Sequence, residues 1–215
     1  AEYILSYLPK IEQETFTAGG VYRHYAGSHV QAVTFSHSYL NNRNLKYQDN
    51  DESRPENLML NLRSTEQESK LRAENTSSWS VWKVNAGLEL NYSRYVNKSF
   101  QRLYSDRPTV YNYDTNLNLF RWGLFASADY TSPDESFTAS LGVRTDGNNY
   151  SDKMKELWRQ LSPRLSVSYR LAEELFLSGH MGLYYQLPAF TALGFKGNSD
   201  RYINKNLEYT SVSQE

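Results

Sequence analysis

The chain has 215 residues and a formal net charge of -1, which suffices for one domain and offers no electrostatic case for a nucleic-acid partner. It has no cysteine, which excludes disulfides, thiol catalysis and Cys-ligated metals. Only 39% of residues are hydrophobic, yet aromatics reach 14%, with 18 Tyr; that balance is poor for a soluble core and suits a wall whose alternate residues meet lipid. No run of about 18 apolar residues exists, so there is no helical membrane span. Ala1-Glu2-Tyr3 lacks a basic region followed by an apolar stretch. The expectation is a chain whose export signal is removed or that begins inside a longer protein.

Taken in order, the chain reads as about eight strands joined alternately by short turns and long polar loops. Residues 16–25 form a first strand, Ala26-Gly27-Ser28 a turn, residues 29–40 a second strand, and Asn41 to Pro55 a polar loop. A third strand, at about 57–74, is dense in charge, but the charge segregates: Glu66, Glu68, Lys70, Arg72 and Glu74 share one parity. Thr65, Gln67, Ser69, Leu71 and Ala73 share the other and carry none, the minimum that lipid contact demands.

The fourth strand alternates cleanly, with Trp82, Val84, Ala86, Leu88, Leu90 and Tyr92 on one face and Lys83, Asn85, Glu89, Asn91 and Ser93 on the other. From Trp82 to Tyr92, the usual rise and tilt project roughly 25 Å along the membrane normal, the height of an outer-membrane apolar band. The pattern then repeats between Asn116 and Tyr185. Phe120, Trp122, Leu124, Ala126, Ala128 and Tyr130 oppose Arg121, Gly123, Ser127 and Asp129. After the turn Ser132-Pro133-Asp134-Glu135 the greasy face is Phe137, Ala139, Leu141 and Val143; Leu165, Val167, Tyr169 and Leu171 follow, and then Leu175, Leu177, Met181, Leu183 and Tyr185. A period of two with one apolar face marks half-buried strands. Long loops are expected at about 96–114, 147–161 and after Pro188, and short turns at 75–79, 132–135 and 172–174. That asymmetry belongs to bacterial outer-membrane barrels. A soluble β-sandwich also alternates, but its strands are typically shorter, and it predicts buried Trp82, Leu88, Trp122 and Leu141.

Several segments resemble the TonB-dependent receptors: Leu141-Gly142-Val143-Arg144-Thr145-Asp146-Gly147-Asn148-Asn149-Tyr150-Ser151, Leu161 to Leu171, and Gly182-Leu183-Tyr184-Tyr185-Gln186-Leu187-Pro188-Ala189-Phe190. Tyr39 to Tyr47 and Glu68 to Asn75 are similar to the family as well. The resemblance spans nearly the whole chain and rests on the order and spacing of the motifs. It implies an all-β, antiparallel transmembrane β-barrel of the 22-stranded type, of which residues 1–215 supply a partial barrel domain without the plug domain or the barrel-closing C-terminal strands. It further implies residence in the bacterial outer membrane and contact with outer-membrane lipid. In the full-length protein it implies partnership with the chain's own plug domain and with TonB, and active uptake of a siderophore, cobalamin, glycan or peptide. A passive porin, a soluble binding module and, remotely, a hydrolase dependent on Ser178 are the alternatives.

No residue is assigned to a catalytic, cofactor or metal site, and no cofactor is expected. His24, His29, His37 and His180 lie on separate strands without metal-ligand spacing. Asp49-Asn50-Asp51-Glu52 starts like a calcium loop but lacks its glycine and closing glutamate. Asp146, Asn148 and Asp152 are a candidate external calcium cluster that a solvated turn explains equally well. Ser178 and His180 share a strand face without a nucleophile elbow. Arg144, Arg164 and Arg170 are expected to line the lumen, and Tyr104, Tyr111, Tyr113, Tyr150, Trp158 and Tyr202 are loop aromatics suited to stacking on sugars or flat chelates.

Overall fold

The computed structural model describes residues 8–103, 109–196 and 201–214. These form one antiparallel sheet in strict sequence order: β1 (Lys10–Ala26), β2 (His29–Tyr47), β3 (Leu58–Trp79), β4 (Trp82–Leu103), β5 (Thr109–Thr131), β6 (Phe137–Asn148), β7 (Ser162–Ala172), β8 (Leu175–Gln186) and β9 (Thr210–Gln214). Nine strands replace the expected eight or so, and the sheet is open, with β1 and β9 at its edges. Two one-turn helices, α1 (Asp152–Lys155) and α2 (Phe190–Leu193), lie in the β6–β7 and β8–β9 connections.

A single sheet has no second sheet to bury its apolar face, and the face stays open. Trp82, Leu88 and Leu141 are 49%, 40% and 62% exposed, which removes the sandwich reading. Register explains how two chemically opposed faces persist across the wall. The row Val33↔Ala73↔Leu88↔Leu124 is apolar and points one way. The neighbouring row Thr34↔Arg72↔Glu89↔Gly123↔Asp146 is polar and points the other. The first face meets lipid and the second lines the lumen. Lipid-facing aromatics gather where the short turns begin: Trp82 and Tyr130 lie 5.0 Å apart, Tyr130 and Phe137 6.3 Å, and Trp79 packs edge-on against His29. At the opposite rim Phe120 and Trp122 lie 5.9 Å apart, and the Tyr92 hydroxyl donates to Asn118 Oδ1 (3.0 Å). Rings in the apolar layer with hydroxyls reaching for polar partners are what a membrane interface selects.

Several boundaries differ from the sequence reading, those at the long-loop end for one reason. Residues 41–47 continue β2, and residues 96–103 and 109–114 belong to β4 and β5, where loops were expected. The hairpin between β3 and β4 turns at Ser80-Val81, with Ser80 at φ 47°, not at 75–79. Extended chain above the membrane is wet on its outer face, so the alternation of apolar and polar residues fades while the backbone ladder continues unbroken to Leu103↔Thr109. At the usual rise and tilt, β4 climbs roughly 50–55 Å, about twice the apolar band.

The β5–β6 turn is pinned by side chains. Asp134 Oδ1 accepts from the Ser132 hydroxyl (2.6 Å) and the Ser136 amide (3.2 Å), and Ser132 Oγ accepts from the Phe137 amide (2.9 Å). Those donors hold the Asp134 carboxyl down at about 2, from an ordinary 3.8. Because the folded value lies below the unfolded one, the turn gains its full stabilisation above about pH 4 and loses it as pH falls through about 2. Hydrogen exchange of the Ser136 and Phe137 amides in the full-length protein should accelerate across that window, and Asp134→Ala should exchange rapidly at every pH. Parity has its own test. Leu124→Arg, at mid-height on the lipid face, should lower the stability of the full-length protein in liposomes by about 2–4 kcal/mol, read from urea titration. Ser127→Arg, facing the lumen, should cost far less.

Candidate functional site

The lumen face carries a lateral ladder of ion pairs. Glu68 on β3 meets Lys70 (2.6 Å) and Arg121 on β5 (2.5 Å), with the Ser93 hydroxyl 3.2 Å from the same carboxylate. One level down, Arg72 donates to Glu74 through Nε (3.2 Å) and a terminal nitrogen (2.7 Å). Arg144 grips Asp146 in a two-pronged fork at 2.6 and 2.8 Å. Glu89 lies between these two arginines, 3.9 Å from Arg72 and 3.4 Å from Arg144. The strands supply this geometry because the facing residues share rows, as in Arg72↔Glu89 and Gly123↔Asp146.

Two glycines make room for it. A Cβ on Gly123 would sit 2.5 Å from Asp146 Oδ1 and 3.1 Å from the Arg144 guanidinium. A Cβ on Gly87 would meet the Phe125 ring at 2.5 Å. Phe125 therefore lies across its register partner Gly87, and the Arg72 guanidinium stacks 4.2 Å above the ring. This aromatic, on the polar face and passed over in the sequence reading, is the platform that aims Arg72. The signal that could have found it is a lone bulky residue directly opposite a strand glycine.

Towards the short-turn end the wall opens into a hollow of about 420 Å³ lined by Arg72, Phe125, Arg144, Arg164, His180 and Tyr184, among others. Arg164 stacks 4.6 Å above Tyr184 and has no carboxylate partner among the described residues. Arg170, the third expected lumen arginine, reaches the rim instead and donates to the Asp134 carbonyl (2.8 Å).

The upper inner wall is dry. Tyr95 and Leu117 are 2% and 5% exposed, and with Met154 and Leu193 they form a core against which Tyr150, Leu187, Phe190, Leu207 and Tyr209 pack. The connections after β6 and β8 thus fold inward over β4 and β5. Tyr95 stacks on Phe190 at 5.8 Å and Tyr113 on Phe195 at 5.9 Å. Tyrosine hydroxyls tie the loops down: Tyr113 donates to the Gly194 carbonyl (2.6 Å), Tyr202 to that of Asn116 (2.8 Å), and Tyr150 lies 2.8 and 2.9 Å from those of Leu193 and Asn204. Burial pushes the Tyr150 and Tyr209 phenols up, as expected of hydroxyls held by the fold. Of the loop aromatics offered for stacking, Tyr113, Tyr150 and Tyr202 are engaged in this packing, whereas Tyr111 (56% exposed) and Trp158 (74%) are open. Tyr104 lies outside the described residues.

The remaining candidates do not converge. Asp146 is held by Arg144, and Asp152 pairs with Lys155 (2.7 Å), which lowers its pKa. Asn148 is fully buried, donating to the Tyr209 hydroxyl (2.9 Å) and accepting from the Tyr150 amide (2.8 Å). No group of three metal-ligating side chains occurs among the described residues. Asp51 closes its own loop, accepting from the Ser53 amide (2.9 Å) and Asn57 Nδ2 (2.8 Å), while Glu52 pairs with Lys10. His29 and His37 bond Ser77 and Ser69 at 2.7 and 2.9 Å on the lipid face, as His24 shares that face opposite Gln31. His180 faces the lumen opposite Ser166, and Ser178 bonds Ser168 (2.8 Å).

A sheet with one lipid face, aromatic rims and an ionic inner face defines the wall of a transmembrane β-barrel. The sequence matches the model of the TonB dependent receptor-like β-barrel family over residues 5–215, and the chain belongs to that family, whose members are transporters of the bacterial outer membrane. No individual curated protein matches the chain.

Removing one partner from the ladder should show how it holds. Arg144→Leu leaves Asp146 and Glu89 without their shared cation. It should lower the unfolding free energy of the full-length protein, read from urea titration, by about 1–2 kcal/mol, the low end because the groups are a quarter exposed. Arg144→Leu/Asp146→Leu should recover part of that loss.

Proposed function

We propose that this chain is part of the barrel of an active uptake transporter resident in the outer membrane. In the full-length protein a plug domain fills the lumen, and energy relayed through TonB moves it. Cargo of the siderophore, cobalamin, glycan or peptide class is captured by the outer loops and passes along the ionic wall once the plug rearranges. The observation that carries this reading is the lower lumen hollow. It is lined by Arg72, Arg144, Arg164 and His180, and Arg164 has no acid of its own among the described residues. A wall that presents one guanidinium inward without an acid of its own suits a filling domain that supplies a carboxylate. Charge-paired surfaces also release one another more readily than apolar ones, which suits a domain that must move.

The test is energised uptake. Cells carrying the full-length protein would be offered ferric siderophores, cobalamin, oligosaccharides and peptides in turn. Accumulation of one class against its gradient is expected, abolished by deleting TonB or collapsing the proton-motive force. Entry that follows the external concentration and survives both treatments would instead identify a passive channel.

A further inference from the structure

The lipid face is not uniform. On β4 and β5 every outward residue from the Trp82↔Tyr130 row to the Tyr92↔Phe120 row is apolar or aromatic. The same rows turn polar on β1–β3. The row of Ala86 and Ala126 continues as Asn75, Gln31 and His24, and that of Tyr92 and Phe120 as Ser69, His37 and Ala18. Between these lie two apolar rows, Ala73 with Val33 and Tyr22, then Leu71 with Phe35 and Gly20. The height of a row changes by about 3 Å per strand as the strands tilt. The two polar rows are roughly 15 Å apart, so they cannot both leave an apolar band of about 25 Å.

Hydrocarbon offers such side chains no partner. The His37 ring and the Ser69 hydroxyl bond each other through Nδ1 (2.9 Å), and Asn75 gives its amide nitrogen to Ser77 (2.9 Å). The second nitrogen of His37 and the carbonyl oxygen of Asn75 have no bond among the described residues. Gln31 and His24, both exposed, have no side-chain partner there at all. Open hydrogen-bonding groups at two depths of one sector, on a wall that keeps them off the next two strands, mark where protein replaces lipid. The sector also permits close approach. Ala18, Gly20 and Ala73 lie in its rows, and the place a Cβ would take on Gly20 is empty space. None of the four rows carries Lys, Arg, Asp or Glu on β1–β3.

Symmetry selects the partner. Two copies inserted in one membrane share an orientation, so the two-fold axis relating them runs along the membrane normal and every residue keeps its depth. Each row then faces its own counterpart. Carboxamide, imidazole and hydroxyl groups each carry both a donor and an acceptor, so a polar row meeting its copy is satisfied by it. No charge in these rows opposes the approach, and the apolar rows pack between the polar ones. Any other protein would have to present matching groups at the same two depths.

We propose that the outward face of β1–β3 is the contact between two copies of this protein in the outer membrane. The rows of Gln31 and Asn75 and of His37 and Ser69 meet their counterparts across a two-fold axis, with Val33, Phe35, Leu71 and Ala73 packed between. The contact does not depend on which cargo the barrel carries.

The experiment uses the full-length protein, with any other cysteine replaced, in native outer membranes and in lipid vesicles. Gln31→Cys and Phe35→Cys should each be joined copy to copy by a short bismaleimide, whereas Leu124→Cys on the β5 lipid face should not. Gln31→Leu/His37→Leu/Asn75→Leu should weaken self-association roughly thirtyfold, at about threefold for each hydrogen-bonding group lost. That is read from energy transfer between labelled copies as lipid is added. Heat-modifiable migration on gels checks that the variant barrel is intact, and the cysteine arm decides without it. Wild type that stays monomeric at every lipid dilution, or that joins through Leu124→Cys as readily as through Gln31→Cys, would overturn the proposal. So would undiminished association of the leucine variant, or a Gln31→Cys adduct whose mass is that of a different protein.

Discussion

Every feature of this wall follows from the requirement that backbone N–H and C=O groups find partners where lipid supplies none. Antiparallel neighbours meet it, and the β4–β5 ladder does so without a bulge from Trp82↔Tyr130 to Leu103↔Thr109. An unbroken ladder preserves parity along the strand and across it. Leu88 and Leu124 therefore face lipid together, while Glu89 and Gly123 face the lumen together. A slip of one residue in β5 would carry Arg121 into the hydrocarbon and Leu124 into the lumen. The cost of an arginine at that depth makes the register hard to misassign.

The same parity sorts the charge, which a net value of -1 conceals. Inside, acids and bases alternate laterally, so that Glu89 serves two arginines and Glu68 serves Lys70 and Arg121. Outside and above the rim, bases stand together with few acids. The inner ladder is largely paired within itself, most of its side chains about a quarter exposed, with Arg164 lacking an acid among the described residues. In the outer row Arg43↔Arg63↔Lys98, the central residue faces cations on both sides.

The sequence made the lipid-facing parts legible because lipid imposes the strongest pattern. The alternation from Trp82 to Tyr92 and from Phe120 to Tyr130 survives intact in the sheet, and the charge segregation in residues 65–74, which permits a lipid-facing side of β3 without indicating it, agrees with the register that puts Leu71 and Ala73 in the apolar rows. Above the membrane the pattern vanished, because Asn41-Asn42-Arg43-Asn44 reads as a loop when neither face is greasy. Only a partner strand makes it β2. The loop core was illegible for a different reason. Met154 and Leu193 are buried by residues distant in sequence, and no local period announces that a loop will fold back over Tyr95 and Leu117. The tyrosines there look like ligand-binding residues in a list of loop aromatics and act as clamps in the fold.

The inner wall is thereby divided into two levels with different mechanical character. The upper level is apolar and already covered by the chain's own loops, held by burial of Tyr95, Leu117, Met154 and Leu193 and by tyrosine hydroxyls on backbone carbonyls. Uncovering it would expose apolar surface at about 25 cal/mol per Å², a cost that grows with every residue released. The lower level is ionic, and its pairs can exchange a wall partner for a solvent or guest partner at little net cost. The division sets a loop-covered apolar level above the ladder of Arg72, Glu89, Arg121 and Arg144, whose ion pairs are the part of the wall that can be rearranged most cheaply.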